Sequence, residues 1–283
     1  MAARDAIRRH WPEYAMEAAG LGLFMVAAGV VTTLVESPDW PVRQAVEDPL
    51  LRRAVIGLAM GLTAVALIHS PWGQRSGAHL NPAVTLAFWR LGKVATSDAV
   101  FYAVSQTAGG VVGVLLVAFL LGERFTAPPI SYVATLPGRE GAAVAWLAEA
   151  AISFVLMLTV LAASNSARFM RFTGVFAGTL VALYIGFEAP LSGMSMNPAR
   201  TLASALPGGL YMGLWIYLTA PPLGMLAAVE TRRALRLTVR CAKLDHRAHR
   251  RCIFCGHAAE PPATPLPVAP EGERPVAHTP ANA

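Results

Sequence analysis

Charge is what this chain most conspicuously lacks. Only 14% of its 283 residues are Asp, Glu, Lys or Arg, where soluble domains carry roughly 25%. That deficit excludes an ordinary water-soluble domain and points to one that sits in lipid. Cysteine is scarcer still: the three present all lie after residue 240. This excludes the disulfide framework of a small secreted fold, which normally uses a larger, even set. A cleavable leader is missing too. Arg4, Arg8 and Arg9 precede an apolar run, but that run is long enough to span and shows no small-residue cleavage site, so the first span is expected to be retained. The net charge of +6 forms no basic stripe within a soluble fold, and no nucleic-acid partner is expected. No nucleophile–base pair or metal cluster falls within the apolar part, which argues against an enzyme.

What is present is apolar length: 55% of the residues are hydrophobic. A span needs roughly 20 such residues to cross a ~30 Å hydrocarbon core. Six runs qualify, at about 14–35, 54–70, 99–121, 143–163, 172–188 and 210–230. Two shorter apolar pieces begin at Asn81 (NPAVTLAFWR) and Asn197 (NPARTLASAL). Ten helical residues rise about 15 Å, half a bilayer, so these pieces can enter the membrane but not cross it. Basic residues set the orientation. With both termini cytoplasmic, the inside segments hold 17 of the 23 Lys and Arg, nine of them after Glu230. The expected organisation is a cytoplasmic N-terminus at 1–13, a channel domain at 14–230 with repeat halves 14–121 and 143–230, a basic Cys/His-rich cytoplasmic segment at 231–260, and a disordered Pro/Ala/Glu-rich tail at 261–283.

The two halves echo each other. Glu17-Ala18-Ala19 opens the first span and Glu149-Ala150-Ala151 the fourth. Gly57 and Gly61 are spaced as GxxxG in the second span, and Gly174 and Gly178 in the fifth. SGAHLNPA at 76–83 matches SGMSMNPA at 192–199. Each glycine pair alone reads as helix packing, but the matched order of all these features reads as a repeat. With three spans per half, the second half is inverted, an arrangement that places function near the bilayer midplane.

Asn-Pro-Ala reads physically as a helix start: Asn favours the N-cap, and Pro the first helical position, where no N–H is needed. Asn81, Pro82 and Ala83 face Asn197, Pro198 and Ala199 in this scheme, offering two amide donors and two positive helix ends. Such a pair favours a neutral solute with a lone pair and disfavours cations. The approach stretches should run extended, since irregular backbone at this depth is tolerated where it lines a wet cavity. Carbonyls of Gly77, Ala78, His79 and Leu80, and of Gly193, Met194, Ser195 and Met196, are expected to form an acceptor ladder.

SGAHLNPAVT and SGMSMNPART resemble the paired signature of the major intrinsic proteins, the aquaporins and their solute-conducting relatives. The resemblance runs from about Tyr14 to Glu230 and takes in Glu17, Glu149 and Gln106 as structural positions. It implies an all-α membrane fold of six transmembrane helices plus two re-entrant half-helices in an inverted repeat. It also implies one pore per subunit, usually in a homotetramer within the lipid bilayer, and no required cofactor. Arg200 directly follows the second box, and an intramembrane Arg usually marks a pathway. In the family that Arg forms the outer constriction with three positions matching Met60 (or its neighbour Gly61), Ile185 and Met194. Strict water channels usually place an aromatic and a His at the first two, and glycerol facilitators an Asp where Thr201 stands. The implied function is a passive channel for water or small neutral solutes, with Arg200 the only strongly polar wall of a constriction that matches neither standard subgroup.

After the last span, CAKLDHRAHRRCIFCGH brings Cys241, His246, His249, Cys252, Cys255 and His257 together. Thiolate and imidazole suit a tetrahedral zinc site, with Cys241, Cys252 and Cys255 as ligands and His246 or His249 fourth. The competing reading is a basic tail drawn to anionic lipid. For the whole chain, two other classes stand beside the channel. A secondary transporter would use Glu17 or Glu149 as a coupling group, and a non-conducting membrane protein would act through its tail.

Overall fold

The structure, a computed structural model, describes residues 3–245 and 252–256. His246, His249, His257 and the expected disordered tail at 261–283 lie outside the described residues. Eight helices carry the architecture: α1 (Ala3–Glu36), α2 (Pro49–His69), α3 (Pro82–Arg90), α4 (Thr96–Leu121), α5 (Ala142–Ser164), α6 (Thr173–Phe187), α7 (Pro198–Gly208) and α8 (Leu214–Ala234). Five of the six long ones are apolar and long enough to cross a membrane, α6 when taken together with the 3-10 turn Met170–Phe172 that leads into it. The sixth, α8, is as long as α2 but carries Glu230, Arg232 and Arg233 in its last turns. The bundle is an all-α integral membrane fold, with side chains such as Phe119 (86% exposed) facing outward where only lipid or another apolar surface could cover them.

Local chemistry starts and stops these helices. Asp48 caps α2 by accepting from the Leu50 N–H at 2.7 Å, with Pro49 at the first position. α1 begins eleven residues before the expected span, and the polar side chains where the two meet have partners. Glu13 binds Arg75 at 2.8 Å, and the Tyr14 hydroxyl donates to Asp98 at 2.6 Å.

The inverted repeat is visible in the packing. α1 lies along α4, α2 along α6, and α5 along α8. Glycine makes these approaches close: a Cβ on Gly61 would sit 2.5 Å from the Gly178 carbonyl oxygen across the α2–α6 seam. Gly109 against Ala18 and Gly224 against Ala150 do the same on the other two seams. The short helices α3 and α7 are 9 and 11 residues long, about 14 and 17 Å at 1.5 Å per residue. Each packs on the third long helix of the opposite half, α3 on α8 and α7 on α4.

Beyond α8 the chain turns back instead of leaving the bundle. Val239, Ala242 and Leu244 are buried in the same apolar cluster as Val84 and Phe88 of α3.

Candidate functional site

Two buried carboxylates, one per half, shape the stretches before the half-helices. Glu17 accepts from Ser76 Oγ (2.6 Å), the backbone N–H of His79 (3.1 Å) and of Leu80 (2.6 Å), and from Gln106 Nε2 (2.8 Å). Glu149 accepts from Ser192 Oγ (2.9 Å) and the N–H groups of Ser195 (2.6 Å) and Met196 (2.7 Å). The Leu80 and Met196 amides point to these carboxylates and those of Ala78 and Met194 to the Ser76 and Ser192 hydroxyls, and the four residues adopt φ of 55° (Ala78), 49° (Leu80), 50° (Met194) and 52° (Met196). Non-glycine residues rarely occupy this region, and four at matched positions mark a conformation imposed by tertiary contacts.

Tyr102 and Tyr217 complete the clamps. Their hydroxyls donate to the carbonyls of Ser76 (2.6 Å) and Ser192 (2.5 Å). Neither was among the residues singled out from the sequence. Their positions 21 and 20 residues after the two asparagines were the signal available.

The asparagines then cap and cross over. Asn81 Oδ1 accepts from the Ala83 N–H at 2.8 Å, and Asn197 Oδ1 from Ala199 (3.0 Å) and Arg200 (3.2 Å). Asn81 Nδ2 donates to the Met196 carbonyl and Asn197 Nδ2 to the Leu80 carbonyl, both at 2.7 Å. One hydrogen of each amide is thus held by the opposite half, and the NH₂ geometry leaves its second hydrogen for another acceptor. The Leu80 and Met196 carbonyls are therefore engaged in this crossing, and the Gly77 carbonyl accepts from the Leu244 N–H at 3.3 Å.

A cavity of ≈ 370 Å³ runs past both asparagines. At one end it is lined by Glu36, Arg53 and Ile130, near the end of α1 and the start of α2; at the other it reaches Leu244. We call the latter the inner end, since α1 begins and α8 ends there. Met60, Ile185, Met194 and Arg200 all line the cavity. Met60 is 2% exposed and faces it, whereas Gly61 lies against α6. Among the described residues, Arg200 Nη1 has no hydrogen-bond partner. Glu17 and Glu149 are not among the lining residues.

At the inner end, His79 Nε2 donates to the Ala242 carbonyl at 2.8 Å, and its ring stacks on Phe254 with centroids 5.5 Å apart. Phe254 lies between Cys252 and Cys255. The sulfurs of Cys241, Cys252 and Cys255 lie within 4.8 Å of one another, a group able to hold a metal ion. Cys241 and Cys252 are buried and 3.6 Å apart. The S–H of Cys241 lowers the Cys252 thiol from its ordinary range, helped by the backbone N–H groups of Cys255 and Phe254 against the opposing effect of burial.

Comparison with known proteins adds sequence and fold likeness. Residues 9–230 match the family described as major intrinsic protein. The chain is 37% identical over 184 residues to Aquaporin NIP1-4 of Oryza sativa subsp. japonica, covering 65% of each chain. It is 33% identical over 219 residues to Aquaporin NIP1-1 of Arabidopsis thaliana, covering 76% of this chain and 71% of that one. The chain thus spans just under two thirds of the rice relative's length. Among solved structures, the aquaglyceroporin from Plasmodium falciparum superposes with a TM-score of 0.64 at 19% identity, covering 79% of this chain and 95% of that one.

Proposed function

This chain belongs to the major intrinsic protein family, and from that premise we propose that it is a passive transmembrane channel for water and small neutral solutes. The observation that carries this reading is the crossing of Asn81 and Asn197 beside a continuous cavity. Each amide is fixed by its own half-helix and by the opposite half, and each retains one N–H for a passing oxygen. Two helix N-termini meeting there repel cations, so the pathway suits neutral solutes.

The constriction sets the substrate class. Met60, Ile185 and Met194 bring no strong hydrogen-bonding group, so Arg200 is the polar wall opposite an adaptable apolar one. That composition favours small solutes less polar than water as well as water itself; glycerol, suggested by the name of the Plasmodium channel, is the first to try. Glu17 and Glu149 act as fixed acceptors for loop amides, which leaves them unsuited to the ion coupling of a secondary transporter. We place both termini on the cytoplasmic side, supported by the bias of basic residues, and a homotetramer in the membrane, supported by the exposed apolar helix faces. Permeation itself needs no cofactor; the cysteine cluster is read as a zinc site in the segment after α8.

Stopped-flow light scattering of proteoliposomes shocked with external glycerol tests the proposal. Fast shrinkage reports water and the following reswelling reports glycerol. Shrinkage no faster than in protein-free liposomes, under every condition including removal of the inner-end contact described next, would refute a channel.

A further inference from the structure

We propose that residues 239–245 and 252–256 form a zinc-tied plug. In it Cys241, Cys252 and Cys255 bind a zinc ion, and that binding holds Leu244 across the inner mouth of the cavity and closes it. The inference rests on the channel reading above and adds a regulatory metal site to it.

Residues 239–245 form a strap at the inner end of the cavity. Leu244 is 5% exposed and lines the same cavity as Asn81 and Asn197. A solute leaving past His79 and Leu80 meets this apolar side chain at the inner end. The strap is pinned on both sides of the mouth. The Arg240 N–H donates to Asn165 Oδ1 at 2.7 Å, at the end of α5, and the Leu244 N–H donates to the Gly77 carbonyl at 3.3 Å. Between them the Ala242 carbonyl accepts a hydrogen bond from His79 Nε2.

The described residues of the segment are held by these hydrogen bonds and by the burial of Val239, Ala242 and Leu244. No helix or strand runs through its described residues, so it lacks the cooperative hydrogen bonding of the bundle. A cross-link between its two ends supplies what is missing. In a segment without a core of its own, metal-binding free energy becomes ordering free energy.

The three sulfurs provide that cross-link. Tetrahedral thiolates on Zn–S bonds of about 2.3 Å lie roughly 3.8 Å apart. The Cys241 and Cys252 sulfurs are 3.6 Å apart, and Cys255 is within 4.8 Å of both. Thiolate sets of this kind select soft, closed-shell ions. Three thiolates on a divalent ion leave a net negative charge, and the buried side chain of Lys243, between Cys241 and Leu244, brings a compensating positive one. The coupling from metal to mouth is short: Leu244 is three residues from Cys241, and Phe254, flanked by Cys252 and Cys255, stacks on His79 of the approach to the first Asn-Pro-Ala box. Releasing the ion frees both contacts together.

The test uses the full-length chain in proteoliposomes, with a phosphine reductant throughout so that no disulfide forms. The protein is reconstituted either zinc-loaded or after a strong membrane-permeant chelator. Mass spectrometry of the purified protein should find one zinc per chain, lost in Cys255→Ser at an exposed position. Zinc-loaded wild type should conduct water roughly tenfold or more slowly than the chelated protein, since occupancy shifts the closed population. Leu244→Ala should keep its zinc yet conduct at the chelated rate with or without it. Zinc bound stoichiometrically with no change in permeability on chelation would overturn the plug, and so would protein that retains no zinc. Copper retained in its place would overturn the choice of ion. If neither wild type nor Leu244→Ala conducts under any condition, the channel reading falls and takes the plug with it. Conduction indifferent to zinc defeats the plug alone.

Discussion

Replacing Glu149 by Leu should destabilise the protein and slow its permeation together. Glu149 is fully buried and accepts three hydrogen bonds, from Ser192 Oγ and from the N–H groups of Ser195 and Met196. Leu has a similar volume, so α5 keeps its packing and the damage is confined to three stranded donors. Each buried donor left without a partner costs about 1–3 kcal/mol, which gives about 3–9 kcal/mol before relaxation. In a chain of this size each kcal/mol moves Tm by about 2–4 °C, so even the lower bound predicts a fall of about 6 °C or more. Glu149→Gln keeps one carbonyl oxygen for the loop amides and should lose less than half as much. The functional loss follows from the same peptides. The turn that presents the Met196 N–H to Glu149 also directs the Met196 carbonyl to Asn81 Nδ2. Thermal unfolding in detergent and water permeability in liposomes, measured on the same preparations, check both effects. A Leu variant that melts within about 2 °C of wild type and conducts normally would show that Glu149 does not hold the loop.

Three further outcomes are expected. Arg200→Ala removes the polar wall beside Met60, Ile185 and Met194, so reswelling with glycerol or a larger polyol should speed up; unchanged solute selectivity would mean the constriction lies elsewhere. Asn197→Asp sets a carboxylate oxygen against the Leu80 carbonyl at the present 2.7 Å, trading a hydrogen bond for repulsion between two acceptors. Water permeability should fall to near the protein-free level, and wild-type rates would contradict the crossing geometry. Gly61→Val places a branched side chain where even a Cβ lies 2.5 Å from the Gly178 carbonyl oxygen, and overpacking of this kind costs about 1–3 kcal/mol or more. A lower melting temperature with α2–α6 packing disturbed should appear by thermal unfolding, whereas a Gly92→Ala control, with open space around it, should cost less despite its φ of 69°.

Much of this molecule could be read residue by residue because its signals are local. Asn followed by Pro starts a helix whatever surrounds it, and about ten apolar residues after it can make only half a crossing; α3 and α7 follow from that. The matched Glu17 and Glu149, each opening a span, foreshadowed two acceptors in mid-protein, and the amides of 79–80 and 195–196 are what they accept from. Other features had no local signal. Whether Met60 or Gly61 lines the cavity depends on how α2 is rotated, and that is set by the close approach of Gly61 to Gly178 on α6. The carbonyls of Leu80 and Met196, expected in the acceptor ladder, also receive the opposite asparagine. That crossing joins residues 115 or more positions apart, and nothing in either stretch alone specifies it. The strap at 239–245 is the plainest case, since a coil with no periodicity gives no hint that Leu244 reaches the cavity.

By itself the sequence determined the kind of molecule: the scarcity of charge, the six apolar lengths and the two capped half-helices, which arise from composition and from chain geometry over fewer than thirty residues, and the inverted repeat, which shows as a match of such short motifs between the two halves. Tertiary structure alone decided which side of each helix meets the cavity, which carbonyls the asparagines take and where the segment after α8 comes to rest. Those outcomes depend on close packing between elements far apart in the chain, where a glycine seam or a buried carboxylate selects one arrangement out of several that the local sequence would equally allow.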